Sequence, residues 1–426
     1  MSVAAQSAAV VTRPWLTVAM LCAVYACSQL DRQIMGILLE PIKQDLGATD
    51  TQMGFLVGLA FAVFYTFLAI PIAVVADKGY RRNIIAASVI VWSAMTAVCG
   101  IVNTYAQMAF ARMGVAVGEA GSTPASVSII SSLFDEKRRA TAMSVFAMGA
   151  SLGVLLAFLG GGYLLDTVGW RQTFIIVAIP GILLGILVLF VVPELPVPPQ
   201  SSADDKASVG LTVRHMFKNK AIRHILIGKS LGGFVGYGMI VWTPAFLVRT
   251  HGLSGTEIGL TLALFAGIGG AIGTLMSGRV TDYLGQFDER WRAWAMAVAM
   301  VIVVPFSILW FTIDSYWLAL CFYAVPALLG GFYLAPSTAL IQNLVQPRMR
   351  AVASAISMFL LNIIGMGLGP QGVGILSDLL KPAYGSDSLR YTLCIFLAVN
   401  VWSAVHFWIA GNNLRVPDGE AEPAAA

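Results

Sequence analysis

The sequence predicts an all-α membrane protein of twelve transmembrane helices, arranged as two pseudo-symmetric six-helix bundles. Three observations predict it: too few charges to cover a water-facing surface, twelve apolar runs of spanning length, and an internal repeat at half the chain length. Of 426 residues, 58% are hydrophobic and only 11% are charged. A soluble domain carries about 25% charged residues, so lipid must solvate much of this surface. A span needs roughly 20 apolar residues to cross a hydrocarbon core of about 30 Å.

The apolar runs fall near 15–39, 52–76, 83–103, 107–133, 140–165 and 171–192, and then 222–248, 256–280, 292–312, 315–342, 350–376 and 390–411. Residues 1–192 and 222–426 therefore read as two bundles. Between them, 193–221 opens with Pro193, Pro196, Pro198 and Pro199 and ends in a basic amphipathic piece around Arg214–Lys220. It reads as a cytoplasmic linker carrying a short helix on the membrane surface.

Charge sets the orientation. With both termini inside, the inner loops hold sixteen Lys and Arg residues and the outer loops five. That asymmetry is the positive-inside signal, and it predicts a multi-pass inner-membrane protein with both termini cytoplasmic. The first apolar run is long enough to span, so it reads as a helix and not as a cleaved leader. The five cysteines lie inside apolar runs with no metal-ligand spacing, as small buried hydrophobes do.

The halves repeat at a nearly constant offset. Pro124 in Gly-Ser-Thr-Pro matches Pro336 in Leu-Ala-Pro; Arg139 in Arg-Ala-Thr-Ala matches Arg350 in Arg-Ala-Val-Ala; Asp166 in Leu-Leu-Asp matches Asp378 in Leu-Ser-Asp. The offsets are 212, 211 and 212 residues. Six-span repeats of this kind occur in transporters whose substrate site lies between the halves.

Here the resemblance becomes specific. The segment Ala73-Val-Val-Ala-Asp77-Lys78-Gly79-Tyr80-Arg81-Arg82 resembles the signature of the major facilitator superfamily, repeated as Gly278-Arg-Val-Thr-Asp282-Tyr-Leu-Gly285. Ala73 stands where the pattern has glycine, Tyr80 replaces a second glycine, and the later copy lacks its final basic pair. Within that superfamily, Gln29-Leu-Asp31-Arg32, Gly118-Glu119-Ala-Gly and Leu133-Phe-Asp-Glu-Lys-Arg-Arg-Ala140 are similar to the spinster family. That resemblance implies alternating access and an amphipathic, lipid-like substrate of the lysophospholipid or sphingoid phosphate type. It also implies that Asp77, Arg81, Arg82 and, in the second copy, Asp282 form a gate on the inner side.

The residues add their own argument. An ionisable side chain at mid-membrane depth is costly unless it is paired or wetted, so it marks a pathway. Asp31 and Arg32 lie in the first span, Arg112 and Glu119 in the fourth. At a rise of about 1.5 Å per residue, Asp31, Arg112 and Glu119 approach a common level. Asp31 and Glu119 are the candidate proton carriers, with Arg112 as their exchangeable partner; the bland alternative is a fixed ion cluster that only orients helices. Arg32 and Lys229 are candidate substrate contacts, although either could snorkel to the surface. His406 reads as a solitary packing histidine. In the seventh span, Gly232, Gly233, Gly236 and Gly238 predict a hinge, against close helix packing as the alternative.

No complete Gly-x-x-x-x-Gly-Lys-Ser/Thr phosphate loop and no nucleophile–base set is present. The sequence therefore points away from an ATP-driven pump and from an enzyme. It calls for no cofactor, metal or nucleic-acid partner, and a monomer in the bilayer is expected. The expected function is proton-coupled secondary transport of an amphiphile. Drug or small organic anion efflux is the nearest alternative, and an uncoupled facilitator or sensor is the alternative of another class.

Overall fold

A computed structural model describes residues 13–76, 79–195 and 208–414, and among these no residue is in a strand. Twelve helical spans result. The first, α1, is Pro14–Asp45; α2 joins Asp50–Val57 to Leu59–Ala76; α3 is Arg81–Cys99; α4 joins Tyr105–Glu119 to Ser122–Leu133. Glu136–Val191 holds both α5 and α6, parted at Gly169, whose φ of 79° makes a turn that side-chain-bearing residues avoid. Then follow α7 (Lys220–His251), α8 (Gly255–Gly285), α9 (Trp291–Thr312) and α10 (Tyr316–Leu344). Pro347–Asn412 supplies α11, ending at Tyr384, and α12, Ser388–Asn412. The helices leave large aromatic side chains on their outer surface, Phe110, Phe190 and Trp317 among them, as a lipid-facing surface requires.

The repeat read from sequence has a structural counterpart. The fourth span breaks before Ser122 and the tenth breaks before Leu334, again 212 residues apart. Each break sits just ahead of the proline of the repeated motif, Pro124 or Pro336. Proline lacks a backbone N–H and is tolerated in the first turn of a helix, where that donor has no partner.

The described residues divide into two compact units. The first holds residues up to 195 together with 239–267 and 370–389; the second holds 208–238, 268–369 and 390–414. In the first unit, glycines allow backbones to touch. A Cβ at Gly153 of α5 would stand 2.2 Å from the carbonyl oxygen of Ala26 in α1, and one at Gly118 of α4 would stand 2.6 Å from the backbone nitrogen of Trp92 in α3. In the second unit, Ile222, Ile225, Met296, Met300, Leu340, Ile341 and Phe407 form one core. The predicted surface helix is present as Val209–Lys218, and its Met216 joins that core while Arg214 and Lys218 lie off the buried face. Residues 196–207 of the linker lie outside the described residues.

Candidate functional site

The first and fourth spans bring their ionisable residues together in the core of the first unit. Asp31, Arg112 and Glu119 are 1%, 2% and 1% exposed. Pairing meets part of their cost, and not in the pattern expected. Glu119 is held by Arg32, whose Nε donates to its Oε2 over 2.6 Å, and the Ser28 hydroxyl donates to the same oxygen over 3.2 Å. One helical turn separates Ser28 from Arg32, so α1 presents both to Glu119 from one face. The rings of Tyr65 and Phe61 cover the Arg32 guanidinium, with centroids 4.3 and 5.2 Å away. Arg32 therefore does not run to the surface along its stem. Asp31 points elsewhere, among Arg112, Thr96 and Trp92. Two carboxylates and two guanidiniums thus interleave in one core.

Several polar atoms of this cluster make no hydrogen bond: Asp31 Oδ1, Glu119 Oε1, Arg112 Nε and Nη1, Thr96 Oγ1 and Trp92 Nε1. Buried polar groups are nearly always satisfied, and each exception costs roughly 1–3 kcal/mol. A cluster of exceptions around two carboxylates leaves each with an oxygen free to take a proton.

A second ionic cluster, which sequence reasoning missed, lies where α1 ends and α2 begins. Arg249 of α7 is its hub. Its Nε and Nη2 donate to Glu40 Oε2 over 2.8 and 2.6 Å, and its Nη1 and Nη2 donate to the two oxygens of Asp50 over 2.8 and 2.7 Å. Asp50 also takes Lys43 at 2.5 Å and the Ser377 hydroxyl at 2.6 Å. The planar guanidinium fork suits such two-sided binding, which a lysine could not reproduce.

Beside it, the repeated aspartates act as a matched pair. Asp378 of α11 accepts the backbone N–H groups of Asp50 and Thr51 at the start of α2, over 3.2 and 2.7 Å. Asp166 of α5 accepts those of Gly255 and Thr256 at the start of α8, over 2.8 and 2.7 Å. Both helices also begin with a capping box, Thr49 with Gln52 and Ser254 with Glu257. Carboxylates are stabilised at helix N-termini by unpaired N–H groups and the helix dipole. We expect Asp166→Ala and Asp378→Ala each to cost about 1 kcal/mol of stability. Melting curves of the purified protein would check this, with the double variant losing roughly the sum.

The remaining sequence candidates are placed as follows. Arg81 is buried and donates to the Ser132 hydroxyl over 3.1 Å; Arg82 lies 3.8 Å from Glu194. Asp77 lies outside the described residues. Asp282 is largely exposed and 3.9 Å from Arg292, a loose surface contact. Lys229 is 2% exposed and donates to Thr338 and Ser357 over 2.8 and 2.9 Å, so it does not snorkel. Span α7 is helical through its glycines, and Gly232 and Gly233 allow close approach. A Cβ at Gly232 would meet the Tyr333 ring at 3.1 Å, one at Gly233 would meet Leu361 at 2.4 Å, and Gly236 faces the Tyr333 hydroxyl. Gly238 offers its backbone nitrogen to the contact at Gly369. His406 is not solitary: its Nδ1 lies 2.8 Å from Nδ1 of His224. A sequence shows which helix each histidine lies on and not the rotation that makes two of them meet.

Comparison with known proteins agrees with this geometry. The Major Facilitator Superfamily model matches residues 21–370. An MFS-type efflux pump of Mycolicibacterium smegmatis is 35% identical over 407 residues, 95% of this chain and 94% of its own. Protein spinster homolog 1 of Xenopus tropicalis is 24% identical, covering 87% of this chain and 76% of its own. A solved bacterial homologue of the human lysosomal transporter Spinster, in an inward-facing and unoccupied conformation, superposes with a TM-score of 0.83 at 27% identity, over 93% of this chain and 96% of that one. A family match across most of the chain, a near-full-length relative and twelve helices in a repeated pattern place the protein in the major facilitator superfamily, a family of membrane transporters and not of enzymes.

Proposed function

We propose that this transporter moves an amphipathic, lipid-like molecule by alternating access and couples that movement to protons. The observation that carries the coupling is the buried set of Asp31, Arg32, Arg112 and Glu119, with unsatisfied oxygens on both carboxylates. In this reading a proton on Asp31 or Glu119 releases its guanidinium partner, and the freed cation changes which arrangement of helices is stable. A carboxylate and an arginine held together in low dielectric favour the charged form, and desolvation favours the neutral one, so a helix movement that alters either alters proton affinity. Similarity to a spinster homologue supports the lipid-like substrate.

In the same reading, residues 1–192 and 222–426 are the moving halves, and Gly232 to Gly238 give α7 its bending point. Asp77, Arg81, Arg82 and Asp282 serve the inner gate, with both termini on the cytoplasmic side of the inner membrane and one chain as the working unit. Efflux of drugs or small organic anions is a second reading, favoured by the 35% identity to an efflux pump.

The test of coupling is transport at graded pH in proteoliposomes. We expect the wild-type rate to vary severalfold between pH 5.5 and 8, and Asp31→Asn to flatten that profile. An unchanged profile removes Asp31 from coupling. Lysolipid movement that depends on headgroup supports the lipid reading, whereas dye efflux without it supports the second.

A further inference from the structure

Lys229 differs from Arg32 and Glu119, the direct ion pair in the core of the first unit. It is the only buried Lys, Arg, Asp or Glu among the described residues of the second unit, and no carboxylate lies within 4 Å of it there. Its two partners, Thr338 and Ser357, are neutral hydroxyls on α10 and α11. Thr338 already gives its own proton to the Leu334 carbonyl over 2.8 Å. An ammonium has three N–H donors, so one remains, and the Ser357 hydroxyl proton is free as well. A charge taken out of water without an opposite charge costs several kcal/mol. In the first unit Arg32 is met directly by Glu119, and Arg112 shares its core with the carboxylates of Asp31 and Glu119. In the second no described residue meets that cost.

We infer that the compensating charge is brought by the passenger: the substrate is an anion, and its carboxylate, phosphate or sulfonate sits on Lys229 and Ser357. The inference rests on the transport reading above and narrows it to anionic substrates. The surroundings suit the assignment. Gly233 stands four residues on from Lys229, on the same helix face, and leaves that place to the flexible end of the Leu361 side chain. The hydroxyl of buried Tyr333 lies 3.7 Å from the position a Cβ of Gly233 would occupy. Group transfer plays no part; the ammonium neutralises the charge and the Ser357 hydroxyl donates to it.

The test uses the full chain in nanodiscs of zwitterionic lipid, as wild type, Lys229→Met and Lys229→Arg. The probes share one tail: hexadecyl phosphate, hexadecanoate, hexadecyl maltoside and hexadecyltrimethylammonium, with phenyl phosphate as a tail-less anion. We expect the wild type to bind the two anionic amphiphiles at least tenfold more tightly than the neutral and cationic ones. Lys229→Met should lose that preference while keeping its affinity for the maltoside, and Lys229→Arg should retain part of it. Without ligand, Lys229→Met should melt at or above the wild-type temperature, because a group kept for binding costs stability. A lysine that merely ties α7 to α10 and α11 would instead lower the melting temperature when removed and leave headgroup preference unchanged; that result overturns the inference. Equal binding of all headgroups by the wild type overturns it too, while leaving lipid transport standing. Binding of phenyl phosphate as tight as that of hexadecyl phosphate, lost in Lys229→Met, upholds the anion seat and removes the lipid-like tail from the proposed function.

Discussion

Glu119→Gln is expected to leave transport below about a tenth of the wild-type rate while the protein still reaches the membrane. The neutral amide keeps the shape of the side chain and removes the charge that holds Arg32 at 2.6 Å. Breaking a fully buried ion pair from one side costs about 3–5 kcal/mol. Arg32 keeps 22% of its side chain exposed and retains the faces of Tyr65 and Phe61, so the loss of stability should fall below that range. The loss of function should not be softened in the same way. A carboxylate that must take and release a proton cannot be replaced by a group that never ionises, whereas Glu119→Asp should restore part of the rate. Initial rates in proteoliposomes, normalised to the amount of reconstituted protein, check this.

The second large effect is expected at Arg249. Its guanidinium bridges Glu40 and Asp50, and with Lys43 and Ser377 it fastens α1, α2, α7 and α11 at one end of the first unit. Arg249→Ala leaves two carboxylates facing each other with one lysine between them. A loss of roughly 3 kcal/mol changes an equilibrium by more than a hundredfold, since about 1.4 kcal/mol is a factor of ten. The fastened end should therefore open much of the time. Gln371, nearly buried and donating to the Thr51 carbonyl over 3.2 Å, is a place to read it. We expect a cysteine at 371 to react with a hydrophilic maleimide at least tenfold faster when Arg249 is alanine. Arg249→Lys should fall between, because an ammonium cannot hold two carboxylates in one plane.

Much of the fold was legible because the bilayer imposes a simple rule: a span is a long apolar run, and a loop is where the charges are. The repeat was legible for a related reason. Asp166 and Asp378 recur because each caps a helix of the other half of the sequence, and Pro124 and Pro336 recur because each follows a break in its span. Charged residues inside apolar runs stood out as costly, which identified Asp31, Arg32, Arg112 and Glu119. What the sequence could not supply was rotation and distance. Depth along the spans suggested Arg112 as the partner of Asp31 and Glu119, but the orientation of α1 gives Glu119 to Arg32. Arg249 escaped notice because a charge near a span end looks like a loop residue. Its burial comes from three other helices meeting there, at residues far away in the chain.

The central claim is that Asp31 and Glu119 carry protons whose movement is tied to the passenger. Proteoliposomes holding a trapped pH-sensitive dye test it most directly. A gradient of hexadecyl phosphate is imposed with no starting pH difference, and the internal pH is followed. The expected result is a pH change driven by the substrate gradient in the wild type and absent in Asp31→Asn and Glu119→Gln. Substrate movement with no accompanying proton movement, or the same proton movement in both variants, would contradict the claim.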